Sequence, residues 1–217
     1  MRTLAIGDIH GNAAQLDRLL DVVALRPDDR VVTLGDYVDR GPDSRGVLDR
    51  LLRLQETQHL VPLRGNHDQW MLNARHDEDA FAIWEVYGAV ATLQSYPDES
   101  LDAVPETHWR FLAETCHDVH ETDTHIFVHG HVLPDAAPDT QNIEHLHNLQ
   151  IRHAEPHVSG KTVICGHEPQ SSGLPLDRGF AVGIDTAGWL TCLDIDTWRY
   201  WQVNDDITHT RQASLRS

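Results

Sequence analysis

Short apolar runs closed by glycine, aspartate and histidine set the rhythm of the first third of the chain. Thr3 to Ile6 (TLAI), Val31 to Leu34 (VVTL) and Leu60 to Leu63 (LVPL) each have strand length. Between them, apolar positions recur at helical spacing from Ala13 to Leu25 and from Ser44 to Leu54. This β-α-β-α-β order predicts a largely parallel start. The runs are followed by GDIHG, GDYVDRG and GNHD. Functional groups of open α/β sheets gather beyond the carboxyl ends of their strands, so these three loops are expected to converge.

From about Asp68 to Cys116 the pattern turns helical, with Trp70, Phe81, Trp84, Val90, Leu93, Trp109 and Leu112 spread among charges. This segment reads as a helical insert whose large apolar residues belong to the core. Strand character returns at HIFVHG, KTVICGH, FAVGID, WLTCLDI and RYWQV, separated by turns that suit hairpins or short connections. The second half is therefore predicted to be mainly β, and the tail THTRQASLRS to be frayed or surface-bound. Neither internal repeats nor low-complexity tracts interrupt the chain.

Composition narrows the function. A length of 217 residues without a conspicuous linker predicts a single domain over 1–217. The formal net charge of −17 argues against a broad nucleic-acid or anionic-membrane footprint. No stretch approaches the roughly 20 apolar residues of a spanning helix, and the run after Met1 is too short for a signal sequence. Cys116, Cys165 and Cys192 lack both disulfide-framework and zinc-site spacing, so a reducing, cytoplasmic setting is expected. The 16 histidines, several beside aspartates, change the picture most, because imidazole plus carboxylate is a ligand mixture that first-row metals accept.

Asp8 and His10 form a DxH pair after a strand, where alternate side chains project to one side. Turns also use Asp and Gly for backbone reasons, so the pair is weak evidence by itself. Asp36 follows a buried strand, in a loop that Gly35 and Gly41 allow to be tight, and one carboxylate can bridge two cations. Asn66 offers a neutral oxygen ligand and His67 a titratable imidazole. His129 and His167 follow apolar strands directly, at VHG and CGH. Each alone has a structural explanation; all in order, each after a strand and beside glycine, point to one site.

GDIHG, GDYVDRG and GNHD in this order resemble the phosphoprotein phosphatase family of calcineurin-like metallophosphoesterases. CGHEPQ, GIDTAG and WLTCLDIDT look most like its bacterial and phage members. The resemblance spans Asp8 to about Val203. It implies an α/β fold, a four-layer αββα sandwich in which a central β-sandwich is flanked by helices. It implies that Asp8, His10 and Asp36 hold one divalent metal, and Asp36, Asn66, His129 and His167 a second. Manganese is the expected ion, with iron and zinc as alternatives. It further assigns Arg40 to the substrate phosphate, His67 to the general acid and Asp39 to orienting His67. Arg152, in LQIR, stands where relatives carry a second phosphate-binding arginine, although an arginine ending a helical pattern is also an ordinary surface cation.

The expected reaction is attack on phosphorus by a hydroxide shared between the two metals, with Arg40 neutralising charge and His67 protonating the leaving alkoxide. Substrates of that kind are phosphorylated proteins, on serine, threonine or tyrosine, and small phosphomonoesters. Two rival readings remain. Symmetrical dinucleoside tetraphosphate hydrolases share GDxHG and GNHD but lack the carboxylate that Asp39 supplies. A non-catalytic metal-binding or partner-binding module could keep the fold without turnover. Asp68, Glu168 and the compressed DTAGW turn depart from the family pattern, and the last of these puts any substrate contact by that loop in doubt.

Overall fold

The computed structural model describes residues 1–216. Its first half runs β1 (Thr3–Ile6), α1 (Ala13–Val23), β2 (Arg30–Thr33), α2 (Ser44–Thr57), β3 (His59–Pro62). There follow α3 (Asn66–Ala74), α4 (Glu78–Tyr87), α5 (Ala89–Gln94) and α6 (Glu106–Arg110). The second half contains β4 (Val119–Glu121), β5 (His125–Val128), α7 (Ile143–Asn148), β6 (Thr162–Cys165), β7 (Leu176–Asp177) and β8 (Ala181–Gly183). It ends with β9 (Trp189–Asp194), β10 (Arg199–Asn204) and β11 (Thr210–Ser214).

One sheet has the order β11-β10-β9-β1-β2-β3 and the other β4-β5-β6-β8-β7. As the alternation predicts, β1, β2 and β3 are parallel. Side chains of successive strand residues enter different cores, which shows the layering directly. Leu4 and Ile6 of β1 pack with α1 and α2 residues such as Leu16 and Leu48, whereas Ala5 faces the second sheet. In that sheet Phe127, Ile164 and Val182 point back at Ala5 and Val32. Ile126, Val128, Val163 and Cys165 face outward, under Leu146 of α7 and Ile151. Three cores between helices, sheet, sheet and helices make the four layers that the resemblance implies.

One open expectation is resolved and two are corrected. The tail is surface-bound, not frayed: Thr210–Ser214 pairs with β10 in register Tyr200↔Ala213, and its side chains are mostly exposed, which is why its sequence lacks an apolar stripe. HIFV and TVIC are not a hairpin but parallel neighbours joined by a crossover that carries α7. The helical insert begins at Asn66, inside GNHD, because Gly65 serves as N-cap and the Asp68 carboxylate accepts its N–H at 2.9 Å. Among the described residues no helix is long and apolar enough to cross a membrane.

Candidate active site

The loops after β1, β2, β3, β5, β6 and β8 meet at the carboxyl ends of both sheets. Their backbones are bent into unusual shapes: His10, Asp36, Asp39, Arg40 and His167 have φ of 45°, 52°, 71°, 66° and 64°. Left-handed conformations cost a non-glycine residue on the order of 1 kcal/mol or more, so five in one cluster need strong local support. The Asp68 carboxylate supplies much of it, accepting the N–H groups of Asp36, Tyr37 and Gly65 at 2.8, 2.9 and 2.9 Å. Asp68 thereby ties the loop after β2 to the loop after β3. Gly65 is required there because a Cβ would collide with the Asp36 carboxylate.

Asp36 lies at the centre. Its Oδ2 is 3.5 Å from His10 Nε2, and its Oδ1 is 3.4 Å from His129 Nε2. His10 directs Nδ1 to the Val38 carbonyl at 2.9 Å, and His129 directs Nδ1 to the Leu34 carbonyl at 2.8 Å. Those bonds fix the tautomer: Nδ1 carries the proton, so Nε2 presents a lone pair. Nε2 of His10 is buried and has no hydrogen-bond partner. Asn66 Oδ1 lies 2.9 Å from His129 Nε2 and 3.1 Å from His167 Nδ1, so it faces two ring nitrogens. Asp8 accepts the backbone N–H of His167 at 3.2 Å.

Lone pairs and carboxylates facing each other in a buried cluster are what a cation site requires. Burial pushes Asp8 and Asp36 well above the carboxylate range, with Asp185 and Asp68 adding repulsion respectively, and pushes His10 and His129 well below the imidazole range. The donor atoms of Asp8, Asp36 and His129 lie within 4.8 Å of one another, as do those of His10, Asp36 and His67. Asp36 belongs to both groups. The oxygen and nitrogen donor set fits two borderline divalent ions.

Asp39, Arg40 and His67 adjoin this cluster. His67 Nδ1 donates to Asp39 Oδ2 at 2.7 Å, and Arg40 approaches His67 Nε2 at 3.2 Å. Asp39 also accepts the indole N–H of Trp84, at 3.0 and 2.9 Å to its two oxygens, and the Thr92 hydroxyl at 2.7 Å. Gly88, with φ of 135°, separates α4 from α5, and a Cβ there would lie only 2.9 Å from that of Asp39. Burial opposes charge on both partners of the pair, pushing Asp39 up to about 6; burial and then Arg40 push His67 down to about 3. The short contact favours the ion pair. An anion held by Arg40 removes one cause of the lowering and draws a proton onto His67.

The cluster thus gathers Asp8, His10, Asp36, Asn66, His129 and His167 with Asp39, Arg40 and His67. Arg152 is placed differently: its guanidinium, largely exposed, contacts Glu168 at 3.1 Å and Gln150 at 2.9 Å. Glu168, which follows His167 in the chain, links it to the cluster. Three residues escaped the sequence reading. Trp84 is core, as expected, yet it also holds Asp39, and Thr92 joins it; nothing local in the sequence signals either contact. Asp185 carries a buried, unpartnered Oδ2 and is pushed up to about 6 by burial. It shares with Asp8, His10, Arg40 and Trp189 the lining of a cavity of about 270 Å³. Its position in GID, at the end of an apolar strand as in GDIHG, was the available signal.

The model of the calcineurin-like phosphoesterases matches residues 1–178. The chain belongs to that family. A symmetrical bis(5'-nucleosyl)-tetraphosphatase of Paracidovorax citrulli is 48% identical over 77 residues, covering 35% of this chain and 27% of that protein. Serine/threonine-protein phosphatase 1 of Salmonella typhimurium is 39% identical over 84 residues, 38% of this chain and 37% of that protein. The chain thus matches well under two thirds of the length of either curated relative. A crystal structure of a candidate diadenosine tetraphosphatase superposes with a TM-score of 0.65 at 20% identity, covering 100% of this chain and 95% of that one; at that identity it shows the fold alone.

Proposed function

We propose that this calcineurin-like phosphoesterase is a metal-dependent phosphatase that hydrolyses phosphomonoesters. In this reading Asp8, His10 and Asp36 hold one divalent ion and Asp36, Asn66, His129 and His167 another, with manganese the expected species. Two such ions supply an activated water and neutralise phosphoryl charge. Arg40 grips the phosphoryl oxygens with its planar fork, and the anion it holds raises the proton affinity of His67. His67 then delivers a proton from Nε2 to the leaving oxygen, while Asp39 fixes the ring through Nδ1 and stabilises its charged form. Arg152 is a second phosphate contact once it leaves Glu168.

The observation that carries this reading is the 2.7 Å bond between His67 and Asp39, braced by Trp84 and Thr92. An alkoxide is a strong base and needs a proton to depart. A nucleoside diphosphate departs as a phosphate, whose last ionisation lies near about 6, and needs none. An acid with a dedicated, buried orienter therefore favours a phosphomonoester. The alternative, symmetrical dinucleoside tetraphosphate hydrolysis, is supported by relatives such as that of Paracidovorax citrulli. Comparing kcat/KM for phosphoserine, phosphothreonine and phosphotyrosine peptides with that for dinucleoside tetraphosphates, with manganese added, tests the choice. Higher kcat/KM on the tetraphosphates would overturn it.

A further inference from the structure

Next to His67, the structure presents aromatic surface that the phosphate chemistry leaves unused. The Trp70 ring meets the His67 ring edge-on, with centroids 4.7 Å apart and planes at 64°. Tyr87 stacks on Trp70 at 4.1 Å and 21°, and 49% of Tyr87 is exposed. Trp70 comes from α3 and Tyr87 from the last residue of α4, directly before Gly88, so the packing that braces Asp39 also builds this ledge. Beside it lies a cavity of about 280 Å³ lined by Asn66, Gln69, Trp70, Asn73, Ile143 and His147. A space of that size is at the small end for a ligand pocket and suits a single side chain.

We propose that Trp70, backed by Tyr87, forms the leaving-group subsite and selects aryl phosphomonoesters, the phosphotyrosyl side chain among biological substrates. The inference rests on the phosphomonoesterase reading above and narrows its substrate class. His67 Nδ1 is tied to Asp39, so Nε2 faces the leaving oxygen, and whatever group is bonded to that oxygen emerges beside Trp70. In a tyrosyl phosphate the ring is bonded directly to it and lies against the indole, where offset or edge-on aromatic contacts are favourable. A seryl leaving group brings only a methylene to the same place. In a dinucleoside tetraphosphate the base is separated from the scissile phosphorus by a ribose and further phosphoryl groups, too far along the chain for a ledge that touches the acid itself. The chemistry balances as ordinary hydrolysis: water's oxygen bonds to phosphorus, the P–O bond to the ring breaks, and the phenol oxygen leaves with a proton.

The test uses two peptides alike except for phosphotyrosine or phosphoserine, and two small probes, phenylphosphonate and methylphosphonate, whose binding is read by calorimetry with manganese present. Wild-type protein is expected to favour phosphotyrosine in kcat/KM and to bind phenylphosphonate more tightly. Trp70→Leu should lower kcat/KM on both peptides but about tenfold further on phosphotyrosine, mainly through KM, and should abolish the difference between the phosphonates. Trp70→Phe should restore most of both. Equal losses on the two peptides with an unchanged phosphonate difference would make Trp70 a support for His67 alone and overturn the proposal. Hydrolysis of neither peptide, with turnover of dinucleoside tetraphosphates, would instead overturn the phosphomonoesterase reading. The phosphonate comparison then judges the aromatic ledge separately.

Discussion

Replacing His67 or Asp39 probes the chemistry most sharply, because the consequence depends on the leaving group. General acid catalysis contributes about 10²- to 10⁴-fold, so His67→Asn should lower kcat on phosphoserine by that much. An activated aryl phosphate, whose leaving oxygen is far less basic, should lose much less. Asp39→Asn is a subtler change. Asp39 Oδ1 accepts from Thr92 and Oδ2 from His67, with Trp84 reaching both. An amide can keep only one acceptor oxygen, so with Thr92 satisfied its NH₂ faces His67 and Nδ1 loses its charged partner. A hydrogen bond to a charged group is worth about 1.5–3 kcal/mol, which corresponds to roughly 10- to 150-fold in rate. The loss should again be larger on phosphoserine than on the aryl ester. The double variant should lose little beyond His67→Asn, since the orienter has nothing left to orient. Single-turnover kinetics on both substrates at matched metal occupancy provide the measurement. Equal losses on the two substrates, or additive effects in the double variant, would remove His67 from the role of acid.

Exhaustive chelation should abolish turnover and manganese should restore it, and the affinity for manganese should fall as the pH is lowered. The sign follows from burial, which raises Asp8 and Asp36, so that at low pH the metal must displace their protons; calorimetry in buffers of different ionisation enthalpy would show the release, and a pH-independent affinity would contradict it. Asp36→Asn should be the most damaging ligand change, because the amide keeps one oxygen where two carboxylate oxygens face His10 and His129; metal analysis finding both ions retained at near-normal rate would exclude the bridge. Trp84→Phe removes the indole N–H from Asp39 and should push that carboxyl above its value of about 6, moving the acid limb of the kcat profile to higher pH. The same change should cost about 1–3 kcal/mol of stability from the lost hydrogen bond and cavity, read by denaturant titration.

Much of the site could be read from the chain because its parts are local. A strand of four residues followed by a glycine-rich turn places Asp8, Asp36, Asn66, His129 and His167 at carboxyl ends, and alternation within each strand assigns its faces, as the opposed cores of Ala5 and its neighbours Leu4 and Ile6 show. Partnerships between distant segments were not legible in that way. β9 crosses back to lie antiparallel to β1, with Ala5 opposite Leu193, and β11 joins the same sheet on backbone pairing with almost no buried side chains to announce it. Trp84 reads as an ordinary core aromatic in the sequence; only packing of α4 and α5 against the loop after β2 turns its N–H toward Asp39. The stacking of Tyr87 on Trp70 and the crowding of Asp185 against Asp8 have the same origin. Local periodicity determines which residues are strand, helix or turn, whereas the direction of a side chain's polar atom is decided by long-range burial, which selects one partner among many that local pattern allows.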